Sequence, residues 1–120
     1  METILYPLLF YFTQYLNVLP VDLVGGDRYS GNVFVDGRPV CDDRWDLTDA
    51  GVVCGMLFEN GVALEATQES RFGRVGDDFS MDEVDCRGDE SSLLQCRHET
   101  EDNCGGNEAA GVVCTGNTRL

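Results

Sequence analysis

Short apolar runs, separated by glycine-rich and acidic turns, make up most of the chain after residue 20. Residues 21–24 alternate apolar with polar side chains and end at Gly25-Gly26, which is typical of a short half-buried strand. Similar runs predict strands at residues 62–66 and 81–86 and a closing strand at residues 111–114. The pattern therefore predicts a body built largely from short strands.

A hairpin is expected around an Asp-Gly dipeptide. Residues 32–35 are rich in strand-forming side chains, and residues 38–41 follow directly after Asp36-Gly37. Two such runs flanking Asp-Gly predict a β-hairpin, because both central positions of the tight turn need a positive φ. Pro39 has no backbone N–H to donate, so the second strand should be an edge strand or irregular.

One main helix is predicted over residues 48–57. Residues 46–49 offer oxygen atoms that can cap its start. The apolar side chains that share one face at helical spacing are Val53, Cys54, Met56 and Leu57. Two glycines lower the helix propensity of the segment, so tertiary packing must hold it. With one further helical turn expected at residues 90–96, the pattern indicates a small α+β domain.

The first twenty residues form an apolar leader that lies apart from this body. From Thr3 to Val21 the chain carries no charged residue. A cleavable secretory signal fits this position and length, although Glu2 stands where such signals usually carry positive charge. A retained anchor and an incorrectly assigned start are the alternatives. We expect residues 1–20 to be the leader, residues 21–115 the folded domain and residues 116–120 a tail.

All six cysteines lie after residue 40. An even number of cysteines in a small, acidic body indicates a disulfide framework made in an oxidising compartment. A zinc site would instead need close Cys-x-x-Cys pairs and histidines, whereas the chain has no such pair and a single histidine, His98. We therefore expect three disulfides, and the spacing alone leaves their connectivity open.

The chain is strongly acidic, with eight arginines and no lysine against 22 acidic residues, for a net charge of −14. Nucleic acid and anionic membrane surfaces are therefore excluded as partners, because binding their phosphates needs a basic patch. Acidic residues crowd together between residues 77 and 90. Such a run is usually a solvated surface; the alternative is that some of its oxygens converge on a hard cation.

Six segments occur in a fixed order across residues 21–114. They read VDLVGG, VCDDRWDLTDA, VVC, MDEVDC, CRGDESSLLQC and NCGGNEAAGVVC. Together they resemble the scavenger receptor cysteine-rich (SRCR) domain, in its six-cysteine group. The resemblance implies a curved antiparallel sheet that cradles one helix. It also implies three disulfides, which are Cys41–Cys104, Cys54–Cys114 and Cys86–Cys96.

The chain departs from the family at two positions where tryptophan is common. Residues 37–39 read Gly-Arg-Pro in place of Trp-Gly-Thr, and Ser80 stands where the second tryptophan is usual. Large aromatic side chains contribute much of the buried area of a small core. Their loss leaves the packing around Val40 and Met81 as an open question.

The resemblance further implies a site for Ca²⁺ or Mg²⁺ at Asp42, Asp43 and Glu90. Hard cations prefer carboxylate oxygens on a semi-rigid frame, and three monodentate carboxylates give a modest affinity. The structural alternative is that the two aspartates cap turns and Glu90 starts a helix. A weaker second site is expected at Asp82, and its possible neighbours are Asp89 and Glu108.

Arginines and the single histidine complete the candidate chemistry. Arg44, Arg87 and Arg97 lie close in sequence to the acidic residues, and the resemblance implies that they assist the binding of anionic ligands. Taken singly, each is more commonly a partner in a surface ion pair. His98 is accompanied by no nucleophile elbow or metalloprotease motif, so no catalysis is expected.

These observations lead to two functional hypotheses. The first is an extracellular recognition module, secreted or on the outer face of the plasma membrane, that binds protein or polyanionic ligands with the assistance of Ca²⁺. The second is a non-catalytic spacer or regulatory domain of a larger secreted protease or membrane receptor, whose partners would be other domains of that chain. Neither hypothesis includes direct membrane binding by the domain.

Overall fold

The structure, a computed structural model, describes residues 20–120, so the expected leader lies outside the described residues except for its last residue. This part of the chain has one α-helix, α1 (Leu47–Leu57), and a 3₁₀ turn at Leu93–Gln95. Its strands are β1 (Val21–Gly25), β2 (Ser30–Val35), β3 (Arg38–Pro39), β4 (Val62–Thr67), β5 (Asp82–Asp85), β6 (Arg97–Glu99) and β7 (Gly111–Thr115). Among these elements no helix has the length and apolar character that crossing a bilayer requires.

Five of the strands form one antiparallel sheet with the order β1-β2-β7-β4, and β3 joins it by pairing with β2. Strand β7, the last in the chain, lies inside this sheet between β2 and β4. Strands β5 and β6 form a separate antiparallel pair. The strands predicted from the sequence are confirmed, whereas β6 was not predicted.

The Asp-Gly turn forms as predicted. Asp36 and Gly37 both have positive φ, at 50° and 82°. Beyond the turn, Pro39 pairs with Phe34 of β2. Strand β3 contains only two residues, as expected for a short edge segment that includes a proline.

Helix α1 begins with a capping box. The Asp46 carboxylate accepts a hydrogen bond from the Asp49 backbone N–H at 3.0 Å, and the Asp49 carboxylate accepts one from the Asp46 N–H at 2.9 Å. This reciprocal pair satisfies two backbone donors that a helix start would otherwise leave unpaired. The capping oxygens expected at residues 46–49 are therefore confirmed.

Tertiary packing holds the helix in place. It lies against β4 and β7, with Val53, Cys54 and Leu57 fully buried and Met56 partly buried. All three disulfides that the resemblance implied are present: Cys41–Cys104, Cys54–Cys114 and Cys86–Cys96. The second of these ties the helix to β7, the central strand.

The core is buried beside both positions that lack the usual tryptophan. Val40 and Met81 are buried, and their backbones are joined by a parallel bridge. The Ser80 hydroxyl, at the position of a usual tryptophan, donates to the Pro39 carbonyl at 3.0 Å. The single tryptophan, Trp45, is also buried, and its indole N–H donates to the Gly111 carbonyl at 2.8 Å.

The residues expected as a tail pack against the domain. The Leu120 N–H donates to the Leu57 carbonyl at 2.7 Å. Arg119 pairs with Phe58 through a backbone bridge, and its guanidinium lies 5.6 Å from the centre of the Phe58 ring. A guanidinium nitrogen of Arg119 also lies 3.5 Å from a carboxylate oxygen of Asp22 in β1. The last residues therefore cover the end of α1.

Candidate functional site

Three carboxylates from two distant segments of the chain converge on the surface. Asp42, Asp43 and Glu108 each place an oxygen within 4.8 Å of the others, and we call them the acidic cluster. Asp42 and Asp43 follow β3, whereas Glu108 comes from the loop before β7. These two segments are joined by the Cys41–Cys104 disulfide and by a backbone bridge between Cys41 and Ala109. The disulfide and the backbone bridge therefore bring the three carboxylates together.

Backbone hydrogen bonds fix two of the three carboxylates. The Asp42 carboxylate accepts from the Glu69 N–H at 2.7 Å, and the Glu108 carboxylate accepts from the Gly105 N–H at 2.6 Å. The backbones of Asp42 and Glu108 are also joined directly, N to O at 2.9 Å. Each of these side chains uses one oxygen in this way and keeps a second for another partner.

The negative charges of the cluster repel one another. Burial raises the pKa of Asp42, and the charges of Asp43 and Glu108 raise it further, against the lowering effect of the Glu69 N–H. A cation between the carboxylates would relieve this repulsion. Oxygens on opposite sides of Ca²⁺ lie at most about 5 Å apart, because Ca–O distances are about 2.3–2.6 Å. The separations in the cluster and its all-oxygen chemistry therefore fit a hard cation.

Glu90, expected in this set, lies elsewhere. Its carboxylate accepts hydrogen bonds from the N–H groups of Arg87 and Gly88 at 2.8 and 2.9 Å, and these bonds lower its pKa. The side chain is 1% exposed and lies against the sulfurs of the Cys86–Cys96 disulfide. The structure does not bring Glu90 to Asp42 and Asp43, because the ring closed by the disulfide turns its carboxylate onto its own backbone. Glu108 takes the third position.

The residues predicted for the second site also lie in different places from those expected. Asp82 is buried and places an oxygen within 4.8 Å of Asp43, beside the sulfurs of the Cys41–Cys104 disulfide. Burial raises the pKa of Asp82, and the charge of Asp43 adds to the shift. Disulfide sulfurs carry no thiolate charge and offer little to a hard cation. Asp89, an expected neighbour, lies instead beside Arg87, at 3.0 Å.

The three arginines occupy different places. Arg44 lines the depression over the acidic cluster, together with Gln68, Glu69 and Asn107. Its guanidinium also lies 3.8 Å from the Glu83 carboxylate, at the edge of a smaller cleft. The residues that line this smaller cleft are Arg44, Glu83, Asp85, Arg97, His98 and Glu99.

The structure thus brings Arg44 to the acidic cluster, Arg97 to the adjoining cleft and Arg87 to neither. Sequence reasoning missed Gln68, Glu69 and Asn107 as lining residues of the depression. The first two lie in a stretch without a recognisable motif. Asn107 precedes Glu108 within a segment that carries the family resemblance, which was a usable signal.

The six cysteines and the single histidine take part in structural contacts. All six cysteines are in disulfides. The Nδ1 atom of His98 lies 2.8 Å from the Cys96 carbonyl oxygen, so the ring is hydrogen-bonded to its own segment.

Comparisons with known proteins agree with this architecture. Residues 24–115 match the family model of the Scavenger receptor cysteine-rich domain. A Scavenger receptor cysteine-rich domain superfamily protein of Patiria pectinifera is 46% identical over 101 residues, which cover 78% of this chain and 9% of that protein. Galectin-3-binding protein of Pongo abelii is 47% identical over 102 residues, which cover 79% of this chain and 17% of that protein. The chain thus spans only a small part of these curated relatives.

Two solved structures are similar in both sequence and shape. The third SRCR domain of murine neurotrypsin has a TM-score of 0.68 and 32% identity, over 81% of this chain and 96% of that one. The SRCR domain of mouse MARCO, crystallised in a dimeric form, has a TM-score of 0.59 and 34% identity, over 92% of this chain and all of that one (100%). With its disulfides, its sheet and a family match over most of its length, the chain belongs to the scavenger receptor cysteine-rich family.

Proposed function

We propose that this domain is an extracellular, non-catalytic recognition module that binds anionic ligands through a divalent cation held by Asp42, Asp43 and Glu108. SRCR domains are ligand-recognition modules and occur in secreted proteins and membrane receptors. The observation that carries the proposal is the convergence of three carboxylates within 4.8 Å on a surface framed by a disulfide. The three disulfides support extracellular placement, because disulfides form and persist in oxidising compartments.

Charge explains why a cation is needed. At a net charge of −14, the chain repels an anionic ligand unless positive charge is supplied at the point of contact. A bound Ca²⁺ supplies that charge, together with coordination positions that the protein does not fill. Arg44, which lines the same depression, is placed to donate hydrogen bonds to a sulfate, phosphate or carboxylate group there. Gln68 and Asn107 add amide groups to the same surface.

Calorimetric titration of the oxidised full chain with Ca²⁺ tests the cation site. We expect heat of binding from the wild type, a marked loss of affinity in Glu108→Gln, and unchanged affinity in Glu90→Gln. The last variant is a matched control, because Glu90 lies outside the acidic cluster. An absence of heat in the wild type, or a loss in Glu90→Gln without one in Glu108→Gln, would overturn the assignment.

The anionic ligand is tested with dextran sulfate, using uncharged dextran as the control polymer. Binding should require Ca²⁺ and disappear in EDTA. Arg44→Gln should weaken binding of the polymer while leaving the Ca²⁺ titration unchanged, because Arg44 is assigned to the ligand and not to the cation. Equal binding in Ca²⁺ and in EDTA would contradict the role of the cation.

A second candidate function is that of a spacer or regulatory domain within a larger protein. The observation in its favour is the length of the curated relatives, of which the matched segment covers 9% and 17%. On this hypothesis the domain has no anionic ligand of its own. A wild-type chain that binds Ca²⁺ but no dextran sulfate would favour this function over the first.

A further inference from the structure

The Cys86–Cys96 disulfide closes a surface ring that begins with the tripeptide Arg87-Gly88-Asp89. Its two charged side chains are among the more exposed of the domain, at 73% for Arg87 and 75% for Asp89. They lie against each other, with a guanidinium nitrogen 3.0 Å from a carboxylate oxygen. The ring therefore presents one positive and one negative group to solvent, separated by a single glycine.

The backbone beneath these side chains is held from inside. The carboxylate of Glu90 accepts hydrogen bonds from the N–H groups of both Arg87 and Gly88. The N–H of Cys86, one residue earlier, donates to the buried Asp49 of α1 at 2.9 Å. Three consecutive backbone donors are thus fixed by two acidic side chains. A loop fixed in this way pays little conformational entropy when a partner binds.

Gly88 is required by the shape of this loop. Its φ is +109°, a conformation that residues with a side chain rarely adopt. A Cβ atom at this position would also lie 3.3 Å from the Cγ2 of Thr48 at the start of α1. The glycine therefore lets the chain bend between Arg87 and Asp89 without placing a side chain against the start of α1.

The ion pair between Arg87 and Asp89 is no obstacle to a partner. Exposed pairs of this kind contribute little, because water screens both charges and the side chains lose freedom to hold one geometry. A partner that offers a better acceptor to the guanidinium and a cation to the carboxylate can replace the pair at low cost. Neither residue belongs to the acidic cluster, so this surface is independent of the cation site described above.

We propose that this loop is a docking site for an adhesion receptor of the integrin type, which reads Arg-Gly-Asp. Such a partner presents a divalent cation, which the Asp89 carboxylate can coordinate. It also presents an acidic pocket, to which the Arg87 guanidinium donates paired hydrogen bonds. The strongly negative domain would repel an acidic receptor surface, and these two contacts supply the specific attraction that outweighs it.

The test is binding of the oxidised full chain to an immobilised integrin ectodomain that binds linear Arg-Gly-Asp peptide, in the presence of Mn²⁺. Asp89→Glu keeps the charge but moves the carboxylate, and we expect it to weaken binding by about 30-fold or more, as losing a desolvated charge contact does. The matched control is Asp78→Glu, because Asp78 is also an exposed aspartate paired with an arginine, Arg38, at 3.1 Å. This control should bind as the wild type does.

Two further arms isolate the loop. Linear Arg-Gly-Asp peptide should compete with the wild-type chain, and Glu108→Gln should bind the receptor normally, since the acidic cluster plays no part. A wild-type chain that does not bind where the peptide saturates the receptor would overturn the proposal, as would full binding by Asp89→Glu. If Glu108→Gln lost receptor binding while Asp89→Glu kept it, the contact would lie at the acidic cluster, and the proposal for the loop would be rejected.

Discussion

The buried carboxylate of Asp49 accepts a hydrogen bond from the backbone N–H of Cys86, with an oxygen-to-nitrogen distance of 2.9 Å. Its other oxygen accepts from the Asp46 N–H at the start of α1. One side chain therefore caps the helix and also joins it to the disulfide-closed ring. Asp49 and Cys86 are 37 residues apart in sequence, so this buried acid links two distant parts of the chain.

Removing this acid should destabilise the domain substantially. Asp49→Ala leaves two backbone donors without a partner and loses half of the capping box, so we expect a loss of about 2–4 kcal/mol in unfolding free energy. Asp46→Ala is the control, because it removes a cap without breaking the contact to the ring, and should cost about 1 kcal/mol. Urea unfolding at neutral pH measures both, and equal losses would show that the contact to Cys86 adds nothing.

The same residue should make stability depend on pH. Burial raises the pKa of Asp49 to about 6 from its ordinary 3.8. The folded state then holds this proton more tightly than the unfolded state does, so the contribution of Asp49 to unfolding free energy is greatest at low pH. It falls as the pH rises from about 4 to about 6.

A series of urea titrations between these pH values, comparing wild type with Asp49→Asn, isolates this effect from the other acids. The advantage of the wild type over Asp49→Asn should shrink as the pH rises through the window. Parallel stability profiles for the two proteins would contradict the raised pKa.

The disulfides should differ in their contribution to stability. Cys54 and Cys114 are 60 residues apart, whereas Cys86 and Cys96 are 10 apart. On the chain-entropy model, replacing the long-range pair by serines should cost about 4 kcal/mol and replacing the short-range pair about 3 kcal/mol. Denaturant unfolding of the two double variants measures the difference. A larger loss from opening the short ring would show that local contacts, such as those of Glu90, dominate.

Two glycines should respond to alanine in opposite directions. Gly55 lies in α1 with no heavy atom within 4 Å of an added Cβ, so Gly55→Ala should stabilise the domain by up to about 1 kcal/mol through helix propensity. At Gly61 the same Cβ would overlap the Cys54 carbonyl oxygen, so Gly61→Ala should destabilise the domain. Thermal unfolding of both variants gives the signs. If Gly55→Ala instead destabilised the domain, another part of the protein would have to cover the helix surface at Gly55.

The fold was predictable where its signals are local. Asp36-Gly37 defines a turn by the backbone angles it allows, and the acids at 46–49 mark a helix start by capping it. Strand β6 was missed because Arg-His-Glu has neither alternation nor β-branched side chains. Its pairing with β5 depends on the neighbouring disulfide instead, a constraint that no short window of sequence displays.

The candidate site was predictable only in part. Asp42 and Asp43 belong to one segment, and their proximity follows from adjacency. The third member depends on which distant loop the fold brings to them. Within the short ring, Glu90 accepts hydrogen bonds from the backbone of its own loop. The bridge between Cys41 and Ala109 places Glu108 beside the two aspartates. The sequence analysis assigned Glu90 to the two aspartates and gave Glu108 only as a neighbour of the weaker second site, because a sequence does not show which distant loop the fold brings close.

The contact between Asp22 and Arg119, at 3.5 Å, bears on how the domain can be built into larger proteins. Because the first strand and the final residues meet there, the two ends of the described domain, Val21 and Leu120, lie on the same side of it. Modules joined to these two ends would lie close to each other, and the opposite side of the domain would stay exposed to solvent. Insertion between other modules therefore requires no long connecting segment.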